Sequence, residues 1–237
     1  MNLSWAATAA VAALPAGTVL RGQVFRLSVR SGEPEAAACQ TCAGPIQAWP
    51  AARCSLCGSW FGAPVVIELL AAIVTGLLFA RFGTQPAVAA FAYLGLIAVA
   101  LTEIDLAVQR LPDRLTLPAY PALIVLLSLA AVFDGNGAAL IRALLGGLVL
   151  IAGYLLLWLA SARQLGGGDI KLAGLVGLAL GWLGWPTLIT GASLGFVLAG
   201  IAGLALLMTR RISRRAEISF GPYVLAGALL AMFASGL

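Results

Sequence analysis

Long apolar blocks separated by short polar breaks run the length of the chain, at about 3–20, 63–80, 85–104, 115–133, 138–160, 172–185, 187–208 and 219–236. A helix that crosses hydrocarbon needs about 20 residues, within a range of roughly 17–25. All but the block at 172–185 reach that length. Pro186 separates this short block from the next, and 172–208 is too long for one helix but suits two tilted ones. The pattern therefore predicts an all-α, polytopic membrane protein of about eight transmembrane helices, with seven as the alternative count. The only sizeable polar interruption, 21–62, is too short to build a core of its own. We divide the chain into a first helix with its loop, 1–62, and a membrane-embedded remainder, 63–237.

Composition agrees with this reading. The chain has 237 residues, 62% hydrophobic and 10% charged, against roughly 25% charged in soluble domains. It contains no His, which removes imidazole as base, metal ligand or pH sensor and leaves carboxylates and thiols to carry chemistry. No Lys or Arg precedes the run from Leu3 to Val19, so the expectation is a membrane helix rather than a cleaved signal peptide.

Charge then orients the helices. With eight spans, one side of the bilayer receives Arg21, Arg26, Arg30, Arg53, Arg110, Arg114, Arg163, Lys171, Arg210, Arg211, Arg214 and Arg215, and the other receives only Arg81 and Arg142. The positive-inside rule makes the rich side the cytoplasm. The net charge of +5 is thus assigned to membrane orientation and not to a nucleic-acid partner. The run from Arg210 to Arg215 suits anchoring on anionic lipid.

Two acids stand out against the apolar background. Asp105 closes the third block in Ile104-Asp105-Leu106, followed by Leu111-Pro112-Asp113. Asp169 follows three glycines in Gly166-Gly167-Gly168-Asp169-Ile170-Lys171-Leu172. A carboxylate at a membrane helix is expensive to hold ionised and marks a functional position by default. Two complete crossings lie between the pair, so the topology returns both to the same face. There they would form a shared-proton carboxylate pair.

Simpler roles compete. Asp169 would cap the helix that follows, although a cap does not require the glycine run. Those glycines offer backbone angles closed to other residues and close approach of another chain. Asp105 would pair with Arg110 or Arg114 at the interface. Asp113 sits where an acid favours the start of a helix and reads as structural. Lys171, one turn beyond the glycines, reads as an interface anchor. Glu68, about one turn inside the second block, needs a polar partner; it either supports the aspartates from a neighbouring helix or reaches to the interface.

The four cysteines form Cys39-x2-Cys42 and, eleven residues later, Cys54-x2-Cys57. Two such pairs are the ligand spacing of tetrahedral zinc, and a cytoplasmic loop disfavours disulfides. Zinc would order a loop with little core; redox-active or unligated thiols remain the other readings.

Taken in order along the chain, Glu68 in Val66-Ile67-Glu68-Leu69-Leu70, the cysteine pairs, Asp105 with Leu111-Pro112-Asp113, the Gly166–Leu172 element and Phe220-Gly221-Pro222-Tyr223 resemble the type IV prepilin peptidases, membrane aspartic proteases of the GxGD class. The resemblance implies an aspartic endopeptidase of the bacterial cytoplasmic membrane, its active site facing the cytoplasm. Such an enzyme removes the basic leader peptide from type IV prepilins or the pseudopilins of type II secretion. Asp105 and Asp169 carry over as the catalytic pair, with Gly166, Gly168, Lys171, Glu68 and Asp113 as support. Many members also N-methylate the new N-terminus with S-adenosylmethionine, a step tied to the cysteine loop. That loop is shorter here between its pairs than in the bifunctional members, which leaves methylation open. Two other classes remain in view. An ion-coupled transporter would want midplane acids and inverted repeats. A noncatalytic zinc-bearing membrane scaffold would need neither Asp105 nor the glycine run.

Overall fold

The computed structural model describes residues 3–29, 35–36, 38–39, 41–47, 53–59, 65–160, 166–209 and 219–235. The orientation residues Arg30, Arg163, Arg210, Arg211, Arg214 and Arg215 lie outside them. Among the described residues are eight helices: α1 (Leu3–Leu27), α2 (Val66–Phe82), α3 (Val88–Val108), α4 (Asp113–Asp134), α5 (Gly137–Ala160), α6 (Gly167–Leu183), α7 (Trp185–Met208) and α8 (Gly221–Ala234). A two-residue hairpin, β1 (Ile46–Gln47) against β2 (Arg53–Cys54), is the strand content there. The eight apolar blocks thus map one to one onto eight helices. Of these, α3, α4, α5 and α7 are long and apolar enough to cross a membrane by length and composition.

The chain forms two compact units, Met1–Pro112 and Asp113–Leu237. In the first, α1 packs along α2, and both meet α3. Small residues let these backbones close: a Cβ on Gly17 would lie 2.6 Å from the Glu68 Cα, and one on Gly76 would lie 3.1 Å from the Ala10 Cβ. Such small-residue contacts replace the hydrophobic drive that lipid does not supply between helices. Gly83 ends α2 at φ 61°, donating to the Phe79 carbonyl at 2.8 Å, the left-handed stop that glycine adopts without strain. Phe82 and Phe91 then stack with centroids 4.9 Å apart across the α2–α3 turn.

In the second unit α6 is the central element, touched by α4, α5, α7 and α8. Every residue from Leu172 to Trp182 is buried. A helix apolar on all faces belongs inside a bundle. This explains why the 172–185 block carried no polar stripe and looked too short. Its helix begins five residues earlier, taking in Gly167, Gly168, Asp169 and Lys171 as a polar first turn. It ends at Gly184 (φ 145°), with Pro186 in the first turn of α7, where a missing N–H costs nothing.

The α5–α6 seam is lined with glycine on both sides. A Cβ on Gly177 would sit 2.5 Å from the Gly146 carbonyl oxygen, and one on Gly181 would sit 2.7 Å from the Arg142 carbonyl oxygen. Arg142 also fastens the far end of α6. Its Nε donates to the Gly181 carbonyl at 3.0 Å and its Nη2 to the Trp182 carbonyl at 2.9 Å. Those carbonyls fall in the last helical turn, where no backbone donor follows. Outward, α4, α5 and α7 expose Val132, Phe133, Leu156, Ile189 and Ile201, the side chains a lipid-facing surface carries.

Candidate active site and metal centre

Asp105 lies in the last turn of α3, in the first unit, and is only 5% exposed. The helix stops directly after it. Gln109 takes a left-handed conformation (φ 51°) and its N–H donates to the Asp105 carbonyl at 2.8 Å. Arg110 next turns back toward the end of α1, donating from Nη1 to the Val29 carbonyl at 3.2 Å. So α3 ends in a fixed corner, with the Asp105 side chain buried one turn before it.

Asp169 lies in the first turn of α6, in the second unit, and is 8% exposed. It is not the helix cap. Gly166 holds that position with φ −65° and ψ 134°, without a side-chain cap, and the Asp169 N–H donates to the Gly166 carbonyl at 3.0 Å. The carboxylate instead occupies the third helical position, where the exposed N–H groups of the first turn favour negative charge. The expectation of unusual backbone angles in the glycine run is also corrected. Gly166 has an ordinary φ, and Gly167 and Gly168 are helical. What the structure uses is the space. A Cβ on Gly166 would stand 3.1 Å from Asp169 Oδ2, whereas one on Gly167 would meet nothing.

The supporting residues fall into separate local arrangements. Lys171 Nζ pairs with Asp113 Oδ1 at 2.5 Å, with both side chains well exposed. Asp113 opens α4, as its helix-start reading required. A solvated pair of this kind contributes about 0–1 kcal/mol. A stronger tie comes from Tyr120 of α4, whose hydroxyl donates to the Lys171 carbonyl at 2.6 Å. A side chain at Gly174 would collide with that hydroxyl. Glu68 is buried in the first turn of α2, and its partner is Arg21 of α1: Nη2 to Oε1 is 3.2 Å, with the Arg21 side chain 2% exposed. Sequence reasoning used Arg21 only as an orientation charge. The missed signal was a cation lying inside a helix rather than after it.

Two further residues emerged only from the fold. Tyr154 of α5 is fully buried, with its ring 5.4 Å from that of Phe196 and 6.2 Å from that of Phe220. Phe196 and Phe220 themselves stack at 5.3 Å. Tyr154 lies close enough to the Asp169 carboxylate to feel its charge. A tyrosine within an apolar block was the available sequence signal.

The cysteines converge within the first unit. All four Sγ atoms lie within 4.8 Å of one another, with Cys39–Cys57 at 3.7 Å and Cys42–Cys54 at 3.3 Å. Tetrahedral zinc–thiolate bonds of about 2.3 Å require sulfur separations of about 3.8 Å, so the cluster fits that ion. Two matching turns build it. The Ala43 N–H donates to the Cys39 carbonyl at 2.9 Å, and the Gly58 N–H to the Cys54 carbonyl at 3.1 Å. Both Ala43 (φ 56°) and Gly58 (φ 68°) are left-handed. Gly44, expected as the turn glycine, is needed for room instead, because a Cβ there would lie 3.2 Å from Cys42 Sγ.

Ser59 bridges the two pairs, its Oγ 3.2 Å from Cys39 Sγ and 3.0 Å from Cys57 Sγ. That hydroxyl, aided by backbone N–H groups, holds the Cys39 thiol down at about 5 and lowers Cys57 as well. Cys42, beside the Cys54 sulfur, is pushed up to about 12. The donor set thus already favours thiolate at two positions.

The model of the type IV leader peptidase family matches residues 90–208, from α3 through α7 with both aspartates inside. The chain is 32% identical to a prepilin leader peptidase/N-methyltransferase of Burkholderia pseudomallei (strain 1026b) over 217 residues, which cover 83% of this chain and 66% of that relative. It is 31% identical to the protein of the same name from Aeromonas hydrophila, covering 82% and 70%. Against the one from Pseudomonas aeruginosa it is 30% identical, covering 82% and 70%. No solved structure matches the chain.

Proposed function

Because the chain belongs to the type IV leader peptidase family, we propose that it is an aspartic endopeptidase that removes the basic leader peptide from type IV prepilins or pseudopilins at the cytoplasmic face of a bacterial inner membrane. The catalytic pair is Asp105 and Asp169, carried by the membrane-embedded part, 63–237. The observation behind the reading is that the two acids are buried at matching helix positions. Asp105 lies in the last turn of α3 and Asp169 in the first turn of α6. With α4 and α5 as two intervening crossings, those helix ends face the same leaflet.

In this reading the two carboxyls share one proton. The ionised member takes a proton from a water molecule, whose oxygen attacks the scissile carbonyl. The protonated member gives its proton to the carbonyl oxygen as the tetrahedral intermediate forms. Collapse of that intermediate breaks the C–N bond, and the departing amine leaves protonated. Burial and like charge favour a single shared proton, so the pair titrates as a unit. The space beside Gly166 receives the substrate backbone next to Asp169. The substrate is an apolar helix preceded by a basic leader, entering from the bilayer.

The relatives' names also carry N-methyltransferase. We keep methylation of the new N-terminus from S-adenosylmethionine as a second step, with the cysteine loop, zinc-ordered through Cys39, Cys42, Cys54 and Cys57, as the part that would serve it.

The test uses purified protein and a prepilin substrate, with and without S-adenosylmethionine, read by mass spectrometry. Wild type is expected to release the leader. Asp105→Ala and Asp169→Ala are each expected to lose at least about 10³-fold in rate while still inserting and folding. Normal cleavage by either variant removes that residue from the assignment. A 14-dalton increase on the mature product, only with S-adenosylmethionine present, marks methylation.

A further inference from the structure

Tyr154 presents an unusual combination. Its residue is 2% exposed, and its hydroxyl oxygen is buried with no hydrogen-bond partner among the described residues. A buried phenol ordinarily finds an acceptor, since leaving one unmade forfeits the hydration it had in water. Packing alone would be served by phenylalanine, because the ring already stacks on Phe196 and Phe220. That aromatic trio holds α5, α7 and the N-terminus of α8 together beside the first turn of α6. The same hydroxyl lies within electrostatic reach of the Asp169 carboxylate.

The surrounding groups leave room for such a role. Lys171 on α6 is engaged at the exposed surface with Asp113 of α4. The Tyr120 hydroxyl of α4 is committed to the Lys171 carbonyl. Arg114 also lies at the start of α4, and Asp134 ends that helix. On α5, Arg142 is occupied at the opposite end of α6. Tyr223 is on α8, and α7 carries no ionisable side chain.

Resting on the proposed peptidase reading, we propose that Tyr154 is a positioning residue. Its hydroxyl donates a hydrogen bond to the ionised Asp169 carboxylate when the site is loaded, biasing the shared proton toward the other acid. A donor to the charged form favours that form. In its absence the pair takes up a proton at higher pH.

The experiment compares wild type, Tyr154→Phe and Tyr154→Leu in the intact detergent-solubilised protein. It records kcat/KM for leader-peptide cleavage across pH, together with thermal midpoints. Tyr154→Phe keeps the ring and removes one hydroxyl. Its acidic limb should move up by about half a pH unit or more, equivalent to about a threefold loss on the acid side, with an unchanged midpoint. Tyr154→Leu should show the same pH displacement together with a lowered midpoint. Superposed wild-type and Tyr154→Phe profiles overturn the role of Tyr154 while leaving the peptidase reading intact. A wild-type protein that does not cleave the substrate overturns both.

Discussion

The Arg21–Glu68 pair shows how much a single buried contact carries in a chain with so few charges. Both side chains are almost wholly enclosed, and Gly17 lets the α2 backbone lie flush beside α1 at that level. Removing one partner of a buried ion pair strands the other, at a cost of about 3–5 kcal/mol, whereas replacing both by apolar groups is often neutral. Glu68→Ala or Arg21→Ala should therefore sharply lower the thermal midpoint in detergent, and Arg21→Met with Glu68→Leu should restore most of it. If the single substitutions leave the midpoint where it was, the pair is not what holds α1 to α2. The acids themselves were legible in sequence, because an Asp or Glu in an apolar block announces itself. Their partners were not. Arg21 was counted as a loop charge, since the helix end was placed at about 20 and α1 runs to Leu27. Tyr154 looked like one more apolar-block residue, because nothing local reports which helix faces it.

At the scale of the element, glycine decides how closely α5 and α6 approach. Gly146 and Gly177 meet backbone to backbone, and each methyl added there falls inside another residue's van der Waals surface. Gly177→Leu should separate the two helices, lowering the thermal midpoint and abolishing leader cleavage together. Gly167→Ala, where the added methyl meets nothing, should leave both nearly unchanged. Equal tolerance at the two positions would show that the seam is not tightly packed. Eight helices were readable because lipid imposes a minimum length on every apolar run. The start of α6 was not, because its first turn is polar. Hydropathy begins at Leu172, whereas hydrogen bonding begins at Gly167. The run of glycines was read for backbone freedom, but the helix uses it for space.

For the molecule as a whole, the cysteine cluster is a separate source of order from the bundle. Apart from the four sulfurs, what packs there is little more than Phe25 against Cys39 and Cys54. The segment from about 35 to 59 should therefore depend on its metal. Purified protein should carry close to one zinc per chain by elemental analysis. Chelation, or Cys54→Ser, should expose this segment to proteolysis while the helical circular dichroism stays nearly constant. Retained zinc in the serine variant would exclude the four-thiolate site.

Within Asp113–Leu237, α6 is tied at both ends. The Tyr120 hydroxyl grips the Lys171 carbonyl near its start, and Arg142 grips the Gly181 and Trp182 carbonyls at its finish. A rod clamped this way neither slides along its axis nor spins about it. Asp169 accordingly keeps a constant depth relative to its neighbouring helices. Any polypeptide presented to it would be cut at a set distance from its own greasy stretch, so the scaffold acts as a ruler rather than as a reader of residues.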